Sequence, residues 1–195
     1  MPRISAPSLA EHRALQIHTL HTTTRALLRE DPDTPPSLAE IAARAGFARS
    51  SVYQYVVSRD ELLLDLVHDA APRWRSTCTA AQARVKSPAQ KVLAYLDALV
   101  RLLTGPERGL VTVLVTPWPD ELRDEARAVC TELTAPLRAA LAEVPTPDPD
   151  ATAALLIGLT RAAARRIWEG APVGRTRAQL AAIAEPYLTE AAARG

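Results

Sequence analysis

The sequence predicts an all-α fold of about nine helices: an N-terminal three-helix domain of helix-turn-helix type over residues 1–66 and a larger helical domain over residues 67–195. Three observations lead there. The 195 residues hold 37 alanines and 21 arginines but only 7 glycines, a composition that favours helix almost throughout. Apolar residues recur every three to four positions in nearly every segment, the spacing of one helix face. Prolines and glycines then punctuate the pattern at intervals that fit separate helices, and a first unit near 65 residues leaves enough chain for a second buried core.

Ser8 stands where it can cap a first helix reaching about Glu30, with Ala10, Ala14, Ile17, Leu20, Leu27 and Leu28 as its apolar stripe. Asp31-Pro-Asp-Thr-Pro-Pro36 ends it, because proline lacks the backbone donor and restricts the residue before it. Ser37-x-x-Glu40 is a capping box: the Ser37 hydroxyl accepts the Glu40 N–H and the Glu40 carboxylate reaches back. Leu38, Ile41, Ala42 and Ala45 give that short helix one apolar face, and Gly46 supplies the left-handed residue that ends it. A second short helix is expected from Arg49 to Tyr55, with polar and basic side chains at its exposed N-terminal end. This is the layout of a helix-turn-helix whose second helix enters the DNA major groove.

The details go beyond the general motif. Ile41-Ala42-x-x-Ala45-Gly46-Phe47, Ser51-Val52-Tyr53-x-Tyr55 and Ser58-Arg59-x-x-Leu62-Leu63 follow one another in order. In these residues the chain resembles the tetracycline-repressor (TetR) family of transcriptional regulators, over roughly residues 8–68. The resemblance implies that Tyr53, Tyr55 and Arg59 hold phosphates, while Arg49, Ser50, Ser51 and Gln54 face the bases or their edges; Ser37, at the cap of the preceding helix, joins the expected DNA-binding set. It further implies a homodimer on a palindromic operator, repression as the default, and release by a small-molecule effector. Three positions depart from the family pattern. Ala48 stands in place of a Ser or Thr N-cap and weakens the start of the second helix, Val56 replaces an aromatic, and Arg59 replaces a lysine.

Charge bears on this reading. The whole chain is +1, and residues 1–66 hold seven arginines against eight acids, a net of −1. Bulk charge therefore does not drive nucleic-acid binding. Between Glu40 and Asp60, however, nineteen residues carry no acid and three arginines, Arg44, Arg49 and Arg59, a local +3. The pattern predicts modest non-specific affinity, with specificity from base contacts and dimer geometry.

In the second domain, Asp60 and Glu61 favour the positive end of a long helix with the stripe Leu63, Val67, Ala70, Trp74, Cys78, Ala81, and Pro72 predicts a kink or break within it. Ser87-Pro88 opens the next helix, whose inner face is Val92, Leu96, Leu99 and Leu103. Residues 110–116, LVTVLVT, have strand-like β-branching, but without a partner strand they read as a short buried helix. Asp120 opens a helix with Leu122, Ala126, Val129, Leu133, Leu137 and Leu141 inside, which Pro136 is expected to bend. After Pro145-Thr-Pro-Asp-Pro149 come two last helices, about 150–168 and 177–193. The stripe Ala151, Ala154, Gly158, Ala162 marks the first, and Leu180, Ile183, Ala184, Tyr187, Leu188 and Ala191 mark the second. Paired with their copies they make a four-helix bundle, so the homodimer is expected through residues 150–193; the alternative is packing within one chain.

Trp74, Cys78, Leu96, Leu99, Trp118, Arg161, Arg165 and Trp168 are the candidate effector contacts, since a pocket uses large apolar groups with a few polar ones. A ligand beside Trp74 would shift the long helix and separate two reading heads. His18 and His21 have a metal-compatible spacing, but no further ligand completes a site, and neither a metal nor a cofactor is expected. Cys78 and Cys130 form no framework and are expected to be reduced, buried thiols. No apolar run approaches the roughly 18 residues of a membrane span and no signal-peptide pattern opens the chain, which predicts a cytoplasmic protein. Glycine-rich phosphate loops, GxSxG and HExxH are absent, so no enzyme is expected. The competing classes are a helical protein-interaction scaffold and a metal-free helical enzyme; salt-dependent binding to the chain's own upstream DNA separates a regulator from both.

Overall fold

The computed structural model describes residues 9–193, all helix and connecting turns; the Ser8 cap lies outside them. Eight α-helices follow in order: α1 (Leu9–Glu30), α2 (Leu38–Arg44), α3 (Arg59–Gln82), α4 (Pro88–Thr104), α5 (Arg108–Val115), α6 (Asp120–Ala142), α7 (Pro149–Trp168) and α8 (Val173–Ala193). A 3-10 turn, Val52–Gln54, lies between α2 and α3.

Local chemistry sets most of these boundaries. Ser37 and Glu40 form the reciprocal capping box at α2. The helix ends in a Schellman turn, with Phe47 N–H on Ala42 C=O at 2.8 Å, Gly46 N–H on Ala43 C=O at 3.3 Å and Gly46 at φ +80°. Ser58 accepts the Glu61 N–H to start α3, Ser87 that of Gln90 to start α4, and Asp148 that of Ala151 to start α7. The β-branched run is helical as α5 up to Val115, with Thr116 as its extended C-cap, and Leu110, Val111, Val113 and Leu114 are all buried.

Four expectations are corrected. The segment Arg49–Tyr55 forms turns and a 3-10 helix instead of an α-helix: Gln54 N–H bonds Ser51 C=O and Tyr55 N–H bonds Val52 C=O, both i to i+3. With Ala48 preceding it and no side-chain cap from Ser51, nothing satisfies the free N–H groups of a regular first turn. Pro72 does not break α3, which runs unbroken for 24 residues with the Pro72 ring on its exposed side. Helix α8 begins at Val173, four residues before Arg177, after Thr176 N–H bonds Pro172 C=O. Finally, Ala10 and Ala14 of the α1 stripe are exposed and not buried; on α7, Ala151, Ala154, Gly158 and Ala162 are exposed too, which suits a stripe expected to pair with a second copy. Helix α7 turns Ala153, Leu156, Thr160 and Ala164 to the protein instead.

Two clusters of buried residues result. Leu20, Ile41, Ala42, Val52, Val56 and Leu62 form a small N-terminal core, bordered by Phe47 and Tyr55. A larger core takes one face from each of α3 to α8 and also Leu28 from α1. Helix α3 serves both, through Leu62 in the first and Leu63, Leu66 and Val67 in the second.

The two cores meet where α1 crosses α5. A Cβ built on Gly109 would lie 2.3 Å from the Leu28 carbonyl oxygen and 2.9 Å from Leu28 Cβ, so only glycine admits this approach. Around it, Arg25 pairs with Asp69 at 2.5 Å and with Glu107 at 3.8 Å, while Arg73 pairs with Glu107 at 3.1 Å. The Trp74 indole N–H also donates to Glu107. Arg108 pairs with Asp33 and lies 4.3 Å from the centre of the Trp168 ring, joining the loop after α1 to the end of α7.

Gly109→Ala is expected to lower unfolding stability by about 1–3 kcal/mol, the usual cost of overpacking a close contact. Urea denaturation measures it; an unchanged midpoint would mean that α1 and α5 separate without loss.

Candidate functional site

Two places on the molecule hold candidate functional side chains: the turn after α2 and a cavity at the edge of the larger core. At the turn, Val52 is fully buried among Leu20, Ile41 and Leu62 and anchors the segment. The residues around it face solvent: Arg49, Ser50 and Gln54 are exposed, Tyr53 is 58% exposed, and Ser51 is partly covered. Tyr55 is half-buried, edge-on to Phe47 with ring centres 5.5 Å apart, and Arg13 lies 6.0 Å over its face. Arg13 also donates to the Gln54 carbonyl, tying α1 to the turn. Ser37 sits apart from this group in effect, because its hydroxyl is engaged with Glu40 on both its accepting and donating sides.

The local charge differs from the sequence count of +3. Arg44 makes two hydrogen bonds of 2.9 Å to Glu30, and the Arg59 Nε donates to Asp60 at 2.8 Å. Arg49 has no ion-pair partner among the described residues. The guanidinium of Arg44 holds the Glu30 carboxyl below its ordinary range, first through the hydrogen bonds and then through charge. The Arg44–Glu30 pair is solvent-exposed and the Arg59–Asp60 pair partly so, and pairs of this kind are weakly held. Sequence counting missed them because Glu30 is fourteen residues from Arg44 and outside the acid-free window.

The cavity, of about 340 Å³, lies between α4, α5, α6 and α7. Its inner wall is Tyr95, Leu99, Leu103, Val111, Leu114 and Leu133, all buried. Its polar side is Arg127, Cys130, Thr131, Thr134, Arg138 and Arg161. A groove between α3 and α4 is larger, about 610 Å³, but exposed side chains such as Ser76, Thr77, Ala80, Arg84 and Arg101 line it. A small molecule gains most from the apolar, concave site.

Of the expected effector residues, Leu99 and Arg161 line the cavity and the others lie elsewhere. Trp74, 1% exposed, is core packing with its N–H on Glu107. Cys78 and Leu96 are buried in the same core. Trp118 donates to the Leu114 carbonyl at 3.3 Å and Trp168 to that of Leu103 at 3.1 Å, each packed against the core's edge. Arg165 is exposed on α7, outside the lining. Most of the lining, Tyr95, Val111, Leu114, Arg127, Thr134 and Arg138 among it, was not singled out from sequence and carries no signal beyond helical periodicity.

Burial pushes the Cys78 thiol up to about 12 and also raises Cys130, where Arg161 partly offsets the shift. Burial likewise raises the Tyr95 phenol, which donates to the Leu133 carbonyl at 3.0 Å. His21 is held below its ordinary value chiefly by burial, and its Nε2 makes no hydrogen bond. No group of three or more metal-ligating side chains occurs among the described residues.

With this geometry in view, similarity to known proteins is found in structure and not in sequence. No protein-family model matches the chain, and no curated protein matches it in sequence. Solved structures do match over nearly the whole length. RolR, solved in complex with resorcinol, is 20% identical, with a TM-score of 0.65 over 95% of this chain and 93% of that one. PfmR of Thermus thermophilus, a TetR family transcriptional regulator, is 17% identical, with a TM-score of 0.65 over 87% and 97%. FadR of Bacillus subtilis, a transcriptional regulator solved in complex with stearoyl-CoA, is 15% identical, with a TM-score of 0.67 over 88% and 97%. The fold is that of TetR-family regulators. No helix among the described residues is long and apolar enough to cross a membrane.

The thiols provide a direct check on this geometry. In the native protein at pH 8, Cys130 is expected to react slowly with iodoacetamide and Cys78 not at all until denaturant is added, since only the thiolate reacts. Mass spectrometry of the alkylated peptides measures both; rapid labelling of Cys78 would contradict its burial.

Proposed function

We propose that this chain is a transcriptional regulator, by default a repressor, that binds a palindromic operator as a homodimer and is released by a small-molecule effector. It performs no catalysis in this reading. The observation that carries the proposal is the turn Arg49–Gln54: Val52 is locked in the small core while Arg49, Ser50, Tyr53 and Gln54 point outward, with no acid paired to Arg49. The fold shared with ligand-bound regulators supports it.

In this reading residues 1–66 form the DNA-reading head and 67–195 the effector-binding and dimerisation body. Arg49 reads a guanine, and Ser50, Ser51 and Gln54 lie at base edges. Tyr53, Tyr55 and Arg59 hold phosphates, with Arg59 exchanging Asp60 for the DNA backbone. Ser37 contributes by fixing the start of α2 more than through a free hydroxyl. Two heads related by a dyad require half-sites about 34–36 Å apart or a multiple of that distance.

The homodimer reading is supported by the apolar face that α7 and α8 leave uncovered. Leu155 is 71% exposed and Ile183 54%, beside exposed Leu159 and Tyr187. The small side chains Ala151, Ala154, Gly158 and Ala162 flank them, and a Cβ at Gly158 would meet no atom within 4 Å. A stripe of this kind admits close approach of a second helix. Thr152 and the Tyr187 hydroxyl, 3.3 Å apart, hold α7 and α8 in register behind that face.

An effector in the cavity acts on the heads through α5, which lends Val111, Leu114 and Val115 to the cavity wall and Gly109 to the contact with Leu28 of α1. Trp74, the lever expected from sequence, takes part only through Glu107 at the same crossing. Release requires that the ligand prefer the non-DNA geometry, because equal affinity for both states shifts nothing.

Arg49→Ala is expected to remove about 1–3 kcal/mol of discrimination at one base position in each half-site. Tyr53→Phe and Arg59→Ala should instead weaken all sequences alike. Selection of bound sequences from a random DNA pool, starting from the chain's own upstream region, measures both; unchanged sequence preference in Arg49→Ala removes its base-reading role. For the dimer, Leu155→Glu is expected to shift a micromolar solution from dimer to monomer mass by light scattering, and a monomeric parent protein would refute the interface.

A further inference from the structure

The donors and acceptors of the cavity specify more than that a ligand binds there. Its inner wall is apolar, and its polar side holds three arginines and no carboxylate. Two of the three are already balanced: Arg127 pairs with Asp124 at 3.1 Å, and Arg138 pairs with Asp150. Arg161, exposed at the rim on α7, has no hydrogen-bond or ion-pair partner among the described residues.

The hydroxyls nearby do not compete for its role. Thr131 donates to the Arg127 carbonyl and Thr134 to the Cys130 carbonyl, both at 2.9 Å, and the Tyr95 hydroxyl donates to the Leu133 carbonyl. Their protons are committed to the backbone, so these oxygens offer only lone pairs to the cavity. The strong free donor is a guanidinium, with the spare N–H groups of Arg127 and Arg138 on the same side. A ligand's polar end gains most by accepting hydrogen bonds from these charged donors, and a negative charge on it meets an unbalanced positive one. A cationic end would face three arginines with no acid in the lining. A wholly apolar ligand would leave the Arg161 guanidinium partly desolvated and unpaired.

We propose that the cavity takes a small anionic amphiphile, a carboxylate on an apolar body, with its body against Leu99, Leu103 and Leu114 and its carboxylate on Arg161. About 340 Å³ is at the lower end of small-molecule pockets, which limits the body to a short chain or a single substituted ring. The class of ligand rests on the effector reading of this cavity, but it is tested on the protein without DNA, so the two readings fail separately.

The experiment is calorimetric titration of the full chain with hexanoate, decanoate and phenylbutyrate, each against the alcohol and the amine of the same skeleton. At least one carboxylate is expected to bind about tenfold more tightly than its alcohol, the scale of one hydrogen bond to a charged group, with the amine weakest. Arg161→Gln should erase that advantage by weakening the carboxylate far more than the alcohol. Arg165→Gln, one turn further along α7 and outside the lining, should change neither. The proposal is overturned if no carboxylate of the set binds, if an alcohol or amine binds as tightly, or if Arg161→Gln retains the carboxylate preference. A carboxylate that binds as described without releasing operator DNA upholds the ligand class and removes the effector role. Operator release by the amine as readily as by the acid does the reverse.

Discussion

Helix α3 belongs to both hydrophobic cores, and this constrains the rest of the molecule. Leu62 points into the small N-terminal core, whereas Leu63, Leu66, Val67, Ala70, Trp74 and Cys78 point into the larger one. A single α-helix cannot rotate one of these faces without rotating the other, because its side chains are fixed at 100° intervals on a hydrogen-bonded rod. The two cores are therefore mechanically joined along 24 residues. Pro72 does not relieve the coupling, since its ring lies on the exposed side and the helix passes through it.

A second joint locks the same two bodies. Leu28 and Gly109 bring the α1 and α5 backbones within a distance that no side chain permits, and the charges at this crossing converge on Glu107. Arg25, at 18% side-chain exposure, sits between Asp69 and Glu107, so its ion pairs are better shielded than the surface pairs elsewhere. Helix α5 is short, with its buried face split between this crossing and the cavity. Any rearrangement of the cavity wall near Val111 and Leu114 has a direct path to α1 two to five residues away. By contrast, the turn that would meet DNA is held from beneath by Val52 alone and from the side by Arg13, Phe47 and Tyr55.

The surface divides in the same way. Around the turn most exposed groups are polar or basic, Val57 apart, and their ion pairs are weak surface pairs. On α7 and α8 they are Leu155, Leu159, Ile183 and Tyr187 among alanines, a face whose burial would be favourable by roughly 25 cal/mol per Å² of apolar surface. Helix α7 carries both characters: its first turns are small and apolar, Arg161 follows, and Arg165 and Arg166 lie in its last turn, where the helix dipole favours them.

What the sequence determined by itself was whatever depends on neighbours within a few residues. The caps at Ser37 and Ser87, the glycine turn at Gly46 and the all-helical class follow from local hydrogen bonding and periodicity, and the helical state of the β-branched run after Leu110 followed from the lack of any strand to pair with it. Local reasoning also over-reached where it had only spacing to use. It made an α-helix of Arg49–Tyr55, where the uncapped start yields a 3-10 turn, and it extended the buried stripe of α1 to Ala10 and Ala14, which are exposed because no neighbouring helix covers that end. The tertiary structure decided everything that rests on contacts between distant segments: Arg44 with Glu30, Trp74 with Glu107, Leu28 with Gly109, and the cavity itself. Trp74 and Arg161 look equally suited to a ligand in one dimension. Packing separates them, because helix α3 presses Trp74 into the core while α7 leaves Arg161 unpaired at the rim of a cavity that four helices must meet to form.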